Sequence, residues 1–310
     1  RALCRGLMYG VVRLLYFLLH RATHTWWLWL AGVIVLVNVV LAHLAPVLII
    51  SLFFRLSPLE DQELRQHLQA LIARAGARVR GVYTIAFSQK TTAANAALVG
   101  WGNTRRILLA DTLYEHFTPR EIGTILAHEL GHHLQHDLWL GMAVEAGLVT
   151  VVSYLASLAL RWAVVRGSYS SLDDISTLPL LALVGGILVF VFTPLTLAFS
   201  RWRESRADGY ALELTQDPAA FISAMTKLAK QNLAEIEPPG WIELLLHSHP
   251  SIGRRIQRAR AWQEARGVAH TVPTPPEARR KYPQAPVVGV GVAVVEEGKV
   301  LLIQRATEPL

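Results

Sequence analysis

The sequence predicts a mainly α, multi-pass membrane protein whose polar portion combines helices with a small β-sheet, followed by a C-terminal β-hairpin fragment. Three observations predict it. Long uncharged apolar runs alternate with two charged segments, in a chain of 310 residues that is 52% apolar and 17% charged, against about 25% charged in ordinary soluble domains. The charged segments carry helix-capping signatures and short apolar stretches bounded by glycine. After a proline-rich linker the texture becomes rich in Val and Gly.

Composition excludes several classes. Such an apolar chain does not fit intrinsic disorder. Its one cysteine, Cys4, rules out a disulfide framework or a cysteine-rich metal site. The net charge of +7 is spread along the chain without a nucleic-acid-binding motif, so no nucleic-acid partner is expected. The expected partner is a lipid bilayer, with basic residues flanking the spans. The chain opens Arg1-Ala2-Leu3 without an initiator Met and reads as a piece of a longer product.

In order, residues 1–54 form the N-terminal membrane part. Residues 6–20 are apolar but interrupted by Arg13, a marginal span. From Ala22 to Phe54 there is no charged residue apart from His24 and His43, far more than the roughly 20 residues a span needs. Trp26, Trp27 and Trp29 give it an interfacial anchor. Segment 55–137 is polar. Ser57-Pro58-Leu59-Glu60 reads as a helix start running to Ala75, with Gly76 ending it. Strands are expected at 82–87 and 106–110, with an edge strand at 96–101. Thr118-Pro119-Arg120-Glu121 repeats the capping pattern and opens a helix to about His136.

Residues 138–200 form a two-span hairpin from the runs 138–160 and 175–200. Glu145 lies inside the first, facing either protein or the interface. Segment 201–265 is helical, at 200–214, 218–233 and 251–265. Residues 266–286 are the proline-rich linker, and 287–310 a hairpin of strands 287–295 and 299–305. The two polar segments are separated by an even number of spans and share one side. They carry nine and thirteen Lys/Arg, so the positive-inside bias places them in the cytoplasm.

The chemistry begins at His128-Glu129-Leu130-Gly131-His132. Residues i and i+4 share a helix face, so both imidazoles can reach one metal ion, and the carboxylate of Glu129 can lie beside its water. His136 continues that face but lies about 12 Å along the axis from His128, too far for the same ion. A third ligand must come from elsewhere, and Glu204 supplies it, just after a span and on the same side. Asp208, one turn on, can accept the second N–H of a ligand imidazole. In the cluster His249-Pro250-Ser251-Ile252-Gly253-Arg254-Arg255, His249 and Arg255 can hold a developing oxyanion or the substrate carbonyl.

Together with Thr91–Ala96, Gly100–Ile107 and Asp111–Leu113, these pieces resemble, in order and spacing across roughly 25–262, the CAAX prenyl protease 1 family of integral-membrane zinc metalloproteases. The resemblance implies a zincin-like catalytic part and a zinc endopeptidase holding one Zn2+ per chain through His128, His132 and Glu204. It implies a catalytic role for Glu129, and accessory roles for Asn95, His249 and Arg255. The implied substrate is a peptide or membrane protein, prenylated at a CAAX terminus or unlipidated, in the cell's inner or plasma membrane. Family members carry more N-terminal spans. The tail 286–310 resembles the opening hairpin of a Nudix hydrolase domain, without the Nudix box. Two other readings are a zinc-binding membrane scaffold and the membrane anchor of a longer Nudix fusion.

Overall fold

The computed structural model describes residues 2–54, 56–86, 88, 96–100, 105–232, 235–267, 293–296 and 299–302. They fall into two units, Arg1–Pro273 and Thr274–Leu310.

The first unit joins a membrane scaffold to a mixed α/β layer. Its long helices outside the mixed layer are α1 (Ala2–Arg21), α2 (Trp26–Phe53), α6 (Asp137–Val165) and α7 (Leu178–Thr215). Three stretches are long and apolar enough to cross a membrane: Trp26–Leu44, Asp137–Val165 and Ile175–Thr215. α1 is not among them. It packs on the spans that are present: Leu19, Trp26 of α2 and Leu160 of α6 form a small buried cluster. Tyr16 and His20 bond to the α6–α7 connection, the latter through Nδ1 to Asp173 at 2.8 Å. Glu145 is exposed on α6 and accepts a hydrogen bond from Asn38 Nδ2 of α2 at 2.7 Å, so the acid inside the span has one polar partner on a neighbouring helix.

The mixed layer contains β1 (Leu56–Pro58), α3 (Gln62–Arg74), β2 (Val82–Ile85), β3 (Ala96–Val99), β4 (Arg106–Ala110), α4 (Asp111–His116) and α5 (Pro119–Leu134). The sheet order is β1-β2-β4-β3. β2 and β4 run parallel, with Val82 opposite Ile107, and both edge strands are antiparallel to their neighbours. Leu68 of α3, Ile107 and Leu109 of β4, and Leu126 and Leu130 of α5 are fully buried in the common core. One expectation fails here. Ser57-Pro58 does not open a helix; it lies in β1, and α3 starts at Gln62 with Asp61 as N-cap, whose Oδ1 accepts from Leu64 N. Pairing with β2 wins over the local capping pattern, and an edge strand is where a sheet tolerates proline.

α5 keeps its predicted capping box: Thr118 and Glu121 satisfy each other's backbone N–H. It ends at Leu134 rather than near His136. His136 instead takes a left-handed conformation, φ 56°, and starts α6. α7 is one continuous 38-residue helix, because nothing at Ser200-Arg201 breaks a helix where the charge pattern changes. α8 (Pro218–Gln231), the unforeseen α9 (Gly240–Leu246) and α10 (Ile252–Ala265) complete the unit.

In the second unit, β5 (Ala293–Glu296) and β6 (Lys299–Leu302) form an antiparallel hairpin, with Glu296 opposite Lys299. The linker and the rest of the expected hairpin lie outside the described residues.

Candidate metal and catalytic site

α5 and α7 pack closely, and Gly131 explains why they can. A Cβ there would meet Ala207 Cα of α7 at 3.2 Å and Tyr210 Cδ1 at 3.2 Å. Without one, the His128/His132 face of α5 lies directly against Glu204 and Asp208 of α7.

His128 Nε2 is 3.3 Å from Glu204 Oε2, and His132 Nε2 is 3.3 Å from Glu204 Oε1. The two Nε2 atoms are 3.1 Å apart. Each imidazole bonds through Nδ1 to a different carboxylate: His128 to Asp208 Oδ1 at 2.9 Å and His132 to Asp137 Oδ2 at 2.8 Å. A carboxylate only accepts, so each Nδ1 carries its hydrogen. In the neutral rings both Nε2 lone pairs then point into one space, with a buried carboxylate beside them. Glu204 Oε2 also has no hydrogen-bond donor of good geometry. Facing lone pairs without a donor suit a cation, and the donor set (two imidazoles and a carboxylate) suits a transition metal or zinc. These residues could hold a metal ion.

The electrostatics agree. Burial disfavours the charged form of His128, but hydrogen bonds to Asp208 and Glu204 outweigh it and push the pKa up to about 9. Burial likewise opposes charge on His132, and its bonds to Glu204 and Asp137 reverse the sign. The site attracts positive charge, which two protons satisfy poorly at this separation. Glu129, half-buried beside them, is raised chiefly by burial, which the positive potential of the two imidazoles only partly offsets.

A cleft of about 650 Å³ opens onto the group, lined among others by Ala96 of β3, His128, Glu129, His132, Glu204 and His249. His249 Nδ1 is 2.9 Å from Glu204 Oε2, and its ring is largely exposed. Arg255 reaches the cleft as well, but its Nε and Nη2 both donate to Asp208, at 2.8 and 2.5 Å. Two of its donors thus hold the acid behind His128. β3 is a sheet edge beside the cleft, as expected. Asn95 lies outside the described residues.

The structure therefore brings together His128, Glu129, His132, Glu204, Asp208, His249 and Arg255 from α5, α7, α10 and the loop before α10. Asp137 and Gly131 were not foreseen. Asp137 is 2% exposed. Arg206 Nη1 lies 3.8 Å from its Oδ1, and its backbone carbonyl accepts from Arg203 Nη1 at 2.9 Å. An acid five residues after the second histidine, opening a membrane span, was the available signal.

A helix-borne histidine pair, a glutamate from a second helix, an acid beside the pair and a scaffold of apolar spans define a membrane metallopeptidase architecture. The chain belongs to peptidase family M48, whose model matches residues 58–263. It is 32% identical over 258 residues to an uncharacterized metalloprotease, YhfN, of Bacillus subtilis, covering 82% of this chain and 61% of that protein. It is 28% identical over 249 residues to CAAX prenyl protease 1 of Saccharomyces cerevisiae, covering 74% of this chain and 54% of the other. The probable CAAX prenyl protease 1 of Schizosaccharomyces pombe is 28% identical over 240 residues, with 73% and 48% covered. The chain thus spans between about half and three-fifths of the length of these relatives. The crystal structure of Ste24p from S. mikatae superposes with a TM-score of 0.70 at 20% identity, covering 83% of this chain and 64% of that one. That likeness concerns the fold.

Proposed function

We propose that this chain is the catalytic part of a zinc-dependent endopeptidase. Its substrates are peptide bonds in membrane-associated proteins, with prenylated CAAX-type termini the class suggested by the relatives' names. The observation that carries the reading is the convergence of the two imidazole Nε2 atoms and the Glu204 carboxylate beside Glu129 in one cleft.

In this reading His128, His132 and Glu204 hold one zinc ion, which when bound supplies Lewis-acid polarisation of the carbonyl and acidifies water. The residues do the rest. Asp208 orients His128 through its Nδ1–H. The Glu129 carboxylate takes a proton from the attacking water and returns it to the leaving amine. His249, exposed at the cleft, donates to the oxyanion, and Arg255 adds positive charge behind it. The extended substrate pairs with the free edge of β3, and Asn95, immediately before that strand, positions the scissile carbonyl. The polar segments face the cytoplasm, in line with their excess of Lys and Arg.

The test is Glu129→Gln. It keeps the side-chain shape but cannot accept a proton, so it should bind zinc normally and lose about 10²-fold or more in turnover. Near-normal cleavage by a zinc-loaded, protease-free Glu129→Gln preparation would sink the assignment.

A further inference from the structure

α9 is folded inside out. Its acid is its buried residue: Glu243 is 3% exposed and 3.3 Å from Arg254 Nη1 of α10. Its apolar side chains point away from the protein, with Trp241 64%, Leu244 51% and Leu246 69% exposed. A short surface helix normally buries its apolar face and shows its charge to water. The reverse marks a surface that meets an apolar medium.

The position of α9 identifies that medium. α9 packs on α7 where the uncharged run of that span ends. Arg201, the first charged residue after the run, donates Nη1 to the carbonyls of Glu243 at 3.0 Å and His247 at 2.8 Å. One guanidinium thus closes the membrane end of α7 and caps the C-terminus of α9. Phe199 and Trp202, stacked and next to Arg201, give the same level an aromatic surface, as membrane–water boundaries have.

We infer that α9 is an interfacial helix which dips Trp241, Leu244 and Leu246 into the lipid headgroup and acyl boundary, continuing the lipid-facing surface of α7. His249 follows three residues after α9 and faces Glu204. The bilayer contact therefore holds the cleft's His249 side at the membrane surface, where a membrane-anchored substrate arrives. The bilayer contact itself rests only on the spanning role of α7 and requires no peptidase chemistry.

The test uses the whole chain in liposomes. In a Cys4→Ser background, nitroxide labels are placed singly at Trp241→Cys, Leu244→Cys and Leu246→Cys. Glu264→Cys is the aqueous reference and Leu183→Cys, within α7, the lipid reference. Labels on α9 should shift from the Glu264 reference toward the Leu183 reference in their ratio of oxygen to water-soluble nickel-chelate collisions. As an independent reading without labels, brominated lipids should quench a fluorescence component that is missing in Trp241→Phe. Labels as open to the nickel chelate as the aqueous reference would overturn the inference. So would labels shielded from both oxygen and nickel, because a protein surface would then be the cover. Neither measurement reads peptidase activity, so failure here is distinct from failure of the Glu129 test.

Discussion

His132 Nδ1 lies 2.8 Å from Asp137 Oδ2, across the corner at which α5 ends and the α6 span begins. The arrangement mirrors the pair His128 Nδ1–Asp208 at 2.9 Å, so each histidine of the motif has its own carboxylate. One of these acids comes from α7. The other is the first residue of α6, brought back toward α5 by the left-handed His136. Arg206 and Arg203 of α7 in turn approach Asp137. The orientation of His132 is thereby tied to the packing of two membrane helices.

Asp137→Ala should weaken zinc binding about 10–100-fold, the usual effect of removing a carboxylate behind a ligand imidazole. Asp137→Asn keeps an acceptor oxygen and should lose less. Competition with a chromophoric chelator reads this directly. Equal affinity in wild type and Asp137→Ala would show that the pair does not position the ring.

Gly131→Ala sets two effects against each other. Alanine in a helix interior gains about 1 kcal/mol over glycine. The added Cβ meets the α7 backbone at 3.2 Å, and overpacking of this kind costs about 1–3 kcal/mol. Global stability should therefore range from unchanged to about 2 kcal/mol lower. Zinc affinity should drop clearly, because relieving the contact with the Ala207 backbone means shifting α5 and α7 apart, which draws Glu204 away from the histidines. A variant with lower thermal stability but undiminished zinc affinity would contradict this.

The legible part of the site was the part written in local spacing. His128, Glu129 and His132 share one helical turn, and Glu204 and Asp208 are one turn apart, so period and charge suffice. Asp137 was hidden because its contact depends on a non-glycine residue with positive φ, which sequence does not announce. α3 was placed four residues early because Ser57-Pro58 satisfies a capping pattern that strand pairing with Tyr83 and Thr84 overrides. α9 escaped notice because its polarity is reversed, so amphipathic reasoning finds no core-facing stripe. Arg255 was readable as a cationic residue near the site, but not as the clamp on Asp208, which needs the docking of α10.

Glu121 should give the fold a specific acid sensitivity. Burial acts to raise its carboxyl, but Lys227 Nζ at 2.6 Å, the Ser223 hydroxyl at 2.5 Å and the Thr118 N–H at 2.7 Å outweigh it and hold the group below 4.5. A depressed folded-state pKa contributes stability that is fully present above the unfolded value. That stability is lost as pH falls through the folded one. The wild type should therefore exceed Glu121→Gln in thermal midpoint at pH 7, and the gap should close as pH drops below about 4.5. Because Ser223 and Lys227 lie on α8, the same substitution loosens the N-terminus of the helix that carries His128. A gap that stays constant down to pH 3 would mean the carboxylate charge is not what stabilises this corner.

The last prediction concerns sidedness. The site needs α5, before α6, and the C-terminal half of α7 at the same membrane face, and α6 and α7 pack together with the 166–177 connection between them. If both cross the bilayer, that connection lies on the opposite face from His128 and Glu204. In a Cys4→Ser background, Gln69→Cys on α3 and Gln231→Cys at the end of α8 should react with an impermeant maleimide from one side. Ser168→Cys in the connection should react from the other. The excess of Lys and Arg around the first two positions predicts that theirs is the cytoplasmic side. Gln69 and Gln231 labelling from opposite sides would place His128 and Glu204 on different faces of the membrane, and no shared metal site would be possible. Ser168 labelling on the same side as both would keep the site but show that the α6–α7 hairpin does not cross.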